Sequence, residues 1–139
     1  MKIKKASLKD LNKIMEFSEI KNTDIKKWHM NPKDYVKSYI KNPNNFFFVA
    51  VNEDNIIGTI GGEIWRDKKF AYLGNIIAKG RDKNKTLINL FNYLIKFCKN
   101  NKINLINSFV RKNHSEMITN CKNFGMKKLG KYYYFEIRI

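Results

Sequence analysis

The sequence predicts an α/β protein, a mixed and mostly antiparallel central sheet of about six or seven strands with about four helices on its faces. Three observations predict it. Short apolar runs bounded by turn residues follow one another in mid-chain as "FFFVAV", "IIGTIGGEIW" and "KFAYLGNIIA", too short for helices and rich in β-branched and aromatic side chains. Leu87, Leu90, Phe91, Leu94, Phe97 and Cys98 recur at three and four residues, one stripe of a helix about four turns long. After that helix a strand, a short helix and a last strand or strand pair alternate. The 139 residues make one domain, residues 1–139, long enough for one core and too short for two.

The elements follow in order. "KIKKA" alternates as a first strand, and Ser7 with Asp10 outlines a capping box before a helix with Leu8, Leu11, Ile14 and Met15 on its apolar side. Asp24 caps a short turn; Asn31 and Pro32 supply cap and first position of a second helical segment, ended by Pro43, Asn44 and Asn45. Phe46 to Val51, the turn "NEDN" and Ile56 to Trp65 form a hairpin whose glycines at 58, 61 and 62 permit a bulge or a close backbone approach. "KFAYLGNIIA" adds a third antiparallel strand, and the unbroken apolar character of these pieces implies cover on both faces. "INLINSFV" is a strand, and "HSEMITNCKNF" a short helix with Met117, Cys121 and Phe124 on one face and Gly125 as its C-terminal cap. "MKKLGKYYYFEIRI" bends at Gly130 and ends in a long aromatic strand.

Composition bounds the function. At 43% hydrophobic and 14% aromatic residues the chain folds rather than stays disordered. No apolar run reaches the about eighteen residues of a membrane span, and "MKIKKASLKD" has no signal-peptide pattern, so a cytoplasmic protein is expected. Cys98 and Cys121 sit on apolar helix stripes without CxxC spacing, as reduced core thiols do, and no metal site is expected. The net charge of +16 attracts phosphates, nucleic acid or acidic partners. It is unspecific: the arginines are Arg66, Arg81, Arg111 and Arg138, and lysines are spread along the whole chain, so nucleic-acid binding is not favoured.

In "IIAKGRDKNKTLINLFNYL" a strand runs out at Ala78, a cationic turn follows, and the helical pattern starts at Leu87. The turn reads either as a phosphate-facing cradle or as a solvated connection. A nucleotide-hydrolase loop is excluded, because Asn84 replaces its second glycine and Gly80 lies one residue too close.

On these residues the chain resembles the GNAT superfamily of acyl-CoA-dependent N-acetyltransferases, from Lys2 to the C-terminus. "CKNNKINLINSFV" is similar to the family's "A-K-x-x-G-V-x-x-I-x-L-x-V", with Lys102 where glycine is usual. "RKNHSEMITNCKNFGMKKLGKYYYF" is similar to "x-x-N-x-x-A/M-x-x-x-Y-x-K-x-G-F-x-x-x-G-x-Y-Y", with His114 at the asparagine, Cys121 at the tyrosine and Gly125-Met126 for Gly-Phe. The resemblance implies an acetyl-CoA site between splayed central strands. There the strand at Ile76, Ile77 and Ala78 pairs with pantetheine amides. The loop and helix start hold the pyrophosphate through Arg81, Lys83, Asn84, Lys85, Thr86 and Leu87, with His114 and Asn120 nearby. Counting from the strand, the resemblance puts Lys83 at the family's arginine and Thr86 at its first glycine, while counting back from Cys98 shifts the register by one; Lys79, Arg81, Lys83 and Lys85 are candidates to replace lost backbone contacts.

Acetyl transfer to an amine needs a base, a donor to the carbonyl and a donor to the leaving thiolate. The resemblance implies a Glu or ordered water as base and a tyrosine as donor, but the acid's strand position is Gly74 and the tyrosine's is Cys121. Glu63, beside the cofactor strand, is a candidate base, with a sheet-edge or solvent-facing role as the competing reading. Among Tyr132, Tyr133 and Tyr134 on the last strand, Tyr133 faces opposite its neighbours and is a candidate phenol, with core packing as the alternative. Trp28, His29 and Trp65 are candidates for the acceptor pocket. The expected activity is transfer of acetyl from acetyl-CoA to a small-molecule or peptide amine in a ternary complex. The cationic surface favours an acidic or neutral acceptor over a polyamine. The alternatives are a non-catalytic module that binds acyl-CoA or another anion, and a small basic nucleic-acid-binding protein. A monomer or a homodimer through the last strand is expected.

Overall fold

A computed structural model describes residues 1–18 and 31–139 of the chain. Its strands are β1 Lys2–Lys5, β2 Asn45–Asn52, β3 Asn55–Trp65, β4 Phe70–Ala78, β5 Leu105–Phe109, β6 Lys127–Leu129 and β7 Tyr134–Arg138. Its helices are α1 Leu11–Ser18, α2 Pro32–Lys41, α3 Lys83–Asn100 and α4 Ser115–Asn123. The strands form one seven-stranded sheet in the order β1-β2-β3-β4-β5-β7-β6. Every neighbouring pair is antiparallel except β4 and β5.

Local chemistry explains the starts and stops. The Ser7 N–H and hydroxyl both donate to the Asp10 carboxylate, at 2.9 and 3.0 Å, and the Lys4 ammonium reaches the same group at 2.7 Å. They close a single 3-10 turn, Leu8–Asp10, that runs into α1. Leu8, expected on the apolar stripe, sits on that turn and is exposed; Leu11 and Ile14 are buried as expected, and Phe17 joins them. The Asn31 side chain accepts from the Lys33 N–H at 2.9 Å, and Pro32 opens α2 as the spacing predicts. The turn expected at Asp24 lies outside the described residues. Between β2 and β3, Glu53 and Asp54 have φ of 47° and 64°, the paired left-handed conformation of a two-residue hairpin turn.

Among the described residues the two faces of the sheet carry cores of different size. On one face α3 and α4 bury the main core, in which Phe46, Phe48, Ile60, Leu73, Leu94 and Phe135 are almost inaccessible. Phe91 of α3 stacks on Phe124 at the end of α4, with ring centroids 4.3 Å apart. On the other face α1 and α2 build a smaller core from Leu11, Ile14, Val36 and Val49.

Three expectations are corrected. Helix α3 begins at Lys83 rather than Leu87: the polar run Lys83, Asn84, Lys85 shows no apolar period, yet nothing in it opposes helix. Strand β7 begins at Tyr134, so Tyr132 and Tyr133 belong to the turn that Gly130 opens with φ of 66°. That strand is not an edge of the sheet: it pairs with β5 along its length and with β6 from Tyr134 to Glu136, and the edge strands among the described residues are β1 and β6.

Candidate active site

The sheet splits in its middle. β4 and β5 pair only where Phe70, Ala71 and Tyr72 meet Leu105, Ile106 and Asn107. The last tie is a side chain: the Ser108 hydroxyl donates to the Leu73 carbonyl at 2.7 Å in a buried position. Immediately beyond it Gly74 is an extra residue on β4, a bulge between the Gly62–Leu73 and Gly61–Asn75 pairs, and bulges bend strands. The Lys79 N–H is bonded to the Ile57 carbonyl of β3 at 3.0 Å. Strand alternation then turns the N–H and C=O of Ile76 and Ala78 toward the open side, where β5 is absent, and those of Ile77 toward β3.

The strand leads to the mouth of α3. Gly80, with φ of 92°, makes the turn that needs no side chain. The Lys83 N–H closes on the Gly80 carbonyl at 3.3 Å, and the first helical bond runs from the Thr86 N–H to the Asp82 carbonyl at 3.0 Å. Between them the amides of Asn84 and Lys85 have no intrahelical acceptor, and Asp82 at the cap position makes no side-chain bond to them. Free donors and the positive helix end together suit a phosphate. The side chains of Arg81, Asn84 and Lys85 are exposed around this mouth.

Thr86 and Leu87 are corrected: both side chains are buried beneath the helix, and the Thr86 amide is committed to its first bond. Gly58 of β3 makes room for the Thr86 side chain: a Cβ on Gly58 would lie 2.8 Å from the Thr86 methyl. Lys79 also leaves the loop, donating to the Phe17 carbonyl of α1 at 2.7 Å and lying 5.1 Å above the Phe17 ring. Between α3 and α4 runs a polar groove holding Lys83, Asn84 and Asn120, across which Lys83 pairs with Glu116 at 2.5 Å. His114 caps α4, its Nδ1 accepting from the Met117 N–H at 3.2 Å.

On the opposite face, next to the split, a cavity of about 380 Å³ is lined by Tyr35, Tyr39, Glu63, Tyr72, Gly74 and Ile77, among others. Glu63 of β3 is directly opposite Tyr72 of β4, and its carboxylate makes no hydrogen bond or ion pair with another described residue. Burial first, then the neighbouring Tyr35 and Glu63, pushes the Tyr39 phenol well above its ordinary range, so it stays protonated. The Tyr72 hydroxyl points to the Phe109 carbonyl at 3.4 Å, and beside Tyr72 in register lies Asn107, buried with its Oδ1 unpartnered.

Cys121 and Tyr133 do not join this site. Cys121 is fully buried in the main core, and burial pushes its thiol up to about 12. Tyr133 is half-buried in the turn before β7, its ring 4.2 Å from the Lys128 ammonium and its carbonyl held by the Val110 N–H at 2.8 Å. Trp65 stacks on Phe70 in an adjoining depression that shares Tyr35, Tyr39 and Glu63 with the cavity. Trp28 and His29 lie outside the described residues. The aromatic lining escaped the sequence reading, although Tyr35 and Tyr39 are one helical turn apart and Tyr72 is cross-strand from Glu63. Among the described residues no cluster of His, Cys, Asp and Glu is placed to hold a metal, and no helix is long and apolar enough to cross a membrane.

A parted parallel strand pair leading to an open helix mouth is the framework that the resemblance implies, and the family profile for the acetyltransferase (GNAT) domain matches residues 2–135. The chain belongs to the GNAT acetyltransferases. The fold is shared with an N-acetyltransferase, PaiA, of Thermoplasma acidophilum in complex with coenzyme A, at TM-score 0.77, 20% identity, and coverage of 99% of this chain and 98% of that one. A probable acetyltransferase of Staphylococcus epidermidis superposes at TM-score 0.76 with 17% identity, covering 99% of this chain and 98% of the other. The aminoglycoside 6'-N-acetyltransferase of Enterococcus faecium gives TM-score 0.76, 15% identity, and coverage of 99% and 97%. A search of curated protein sequences found no match. The GNAT sheet and its four helices are thus those expected from the sequence.

Proposed function

We propose that this GNAT domain transfers an acetyl group from acetyl-CoA to a primary amine by direct attack in a ternary complex. The observation that carries the proposal is the pairing of β4 with β5 over only three residue pairs, which leaves strand donors and acceptors facing an open cleft. Ile76 and Ala78 offer these groups to the pantetheine amides. The Asn84 and Lys85 amides, with Arg81 and Lys83 beside them, hold the pyrophosphate; Asn120 closes the groove toward α4. Acetyl-CoA, when bound, supplies the activated thioester that the amine attacks, and its thiol leaves with one of the nitrogen's protons. Glu63 takes up, directly or through one water, the proton that the incoming ammonium sheds to become a neutral amine, because it is the unpaired carboxylate of the acceptor cavity, and one N–H remains in the amide product. Neither Cys121 nor Tyr133 serves as acid in this scheme; of the cavity's phenols Tyr35, Tyr39 and Tyr72, Tyr72 is the one on the strand at the split.

The test is acetyl-CoA-dependent thiol release with a panel of amines, alongside thermal unfolding at rising acetyl-CoA. Buried Cys98 and Cys121 add no background to the thiol reading. At a hundredfold excess over Kd the cofactor is expected to stabilise by about 2.7 kcal/mol. Absence of both thiol release and stabilisation counts against the whole scheme. Binding without turnover on any amine selects the non-catalytic module, a reading favoured by the loss of the family tyrosine to a core thiol. Glu63→Gln is expected to lower kcat about 10²-fold or more at little cost in acetyl-CoA binding.

A further inference from the structure

The cavity beside the split differs in character from the cationic surface around it. Its described walls are mostly aromatic and aliphatic, with Tyr35, Tyr39, Phe47 and Tyr72 foremost. Its floor is flat where Gly74, exposed at the bulge, presents bare backbone; Gly61 beside it is buried under the Phe47 ring. Glu63 is the one charged side chain of that lining among the described residues. At about 380 Å³ the cavity is at the small end of small-molecule sites, which run from about 300 to 1,000 Å³.

Each property selects a feature of the occupant. A single carboxylate among aromatic rings holds one ammonium, through charge and through the ring faces. It does not satisfy several. The net charge of +16 adds a repulsion that grows with every further positive charge on the ligand. The flat glycine floor and the aromatic walls accept a planar apolar body, which gains by leaving water. Asn107 Oδ1, buried without a partner next to Tyr72, marks unused accepting capacity on the same sheet face.

We infer that the acceptor is a compact primary monoamine carried on a flat apolar body, such as an arylalkylamine, with its nitrogen at Glu63 and its ring over the exposed Gly74 backbone beside Phe47. This rests on the acetyltransferase reading for its chemistry, but the recognition itself does not need the cofactor.

The experiment titrates 2-phenylethylamine, 2-phenylethanol and spermidine into the full chain by calorimetry, alone and with saturating coenzyme A, and titrates coenzyme A separately. The amine is expected to bind at least tenfold tighter than both the uncharged alcohol and the polyamine. Glu63→Gln is expected to erase the difference between amine and alcohol. Gly74→Val is expected to weaken the amine at least tenfold; a Cβ at Gly74 meets nothing nearer than 3.5 Å, so the strand accommodates it. Tyr35→Ala, on the exposed side of α2, gives a second variant that leaves the core untouched and is expected to cost about tenfold. Spermidine binding as tightly as the amine, equal affinity for amine and alcohol, or no amine binding in either form overturns the assignment while a coenzyme A signal leaves the transferase standing. Amine binding without any coenzyme A signal does the reverse: it supports the pocket and removes the transferase.

Discussion

Gly62 has no space for a side chain: a Cβ there would lie 1.9 Å from the Tyr72 carbonyl oxygen and 2.6 Å from the Phe46 ring. Gly62→Ala must push β3 from β4 at the base of the cleft, and a loss of about 3 kcal/mol or more is expected in urea unfolding. Gly58→Val is expected to act similarly, by pressing on Thr86 and Leu90 of α3. Asp10 is a different kind of anchor. Burial alone would raise its carboxyl, but the Lys4 ammonium and the Ser7 N–H and hydroxyl outweigh this and hold it below the ordinary aspartate value. A depressed folded value means that its stabilisation is complete above the ordinary aspartate range and is lost as pH falls through the folded value. Acid unfolding of Asp10→Asn is therefore expected to be flatter in that window than that of the parent chain. This box was legible because Ser7 and Asp10 are local in sequence. Thr86 was not, since the glycine that makes its room is on a strand 28 positions earlier, Gly58.

At the scale of elements, strands β2 to β4 and helix α4 were legible from periodicity and turn residues, because each buries its face against neighbours in the ordinary way. The first turn of α3 was hidden by its polar side chains, and with it the fact that Lys83 stands on a helix within reach of Glu116. Exposure of about half of each partner limits that ion pair to about 0–1 kcal/mol of stability. Its greater effect is expected on ligand binding: Glu116→Gln frees Lys83 for phosphate and is expected to lower the KM for acetyl-CoA severalfold at low salt and less at high salt. Lys83→Ala is expected to raise it. The split was expected only through the family resemblance; the residues of β5 alone do not show where its contact with β4 stops, which three-dimensional pairing gives. The acceptor cavity was half legible. Glu63 stood out as an acid among glycines, while its aromatic surround is assembled from α2, β2 and β4 and appears only when these meet.

For the molecule as a whole, burial of both thiols makes a simple probe. Cys98 and Cys121 are pushed up to about 12, so neither is expected to react with a thiol reagent at neutral pH until the domain unfolds, and their reaction rate reports global opening. One further property follows from the divided sheet. On one side β1 to β4 share long ladders, while on the other β5, β7 and β6 form a smaller block whose ladder to β4 is three residue pairs, supplemented by the Ser108 and Tyr72 hydroxyls, the Asn104 N–H on the Lys69 carbonyl and the packing of α3 on α4. A ligand threaded through the gap would serve as a substitute strand and knit the blocks together. Hydrogen–deuterium exchange should then show the amides of β5 and β7 slowing more than those of β2 and β3 when coenzyme A is added.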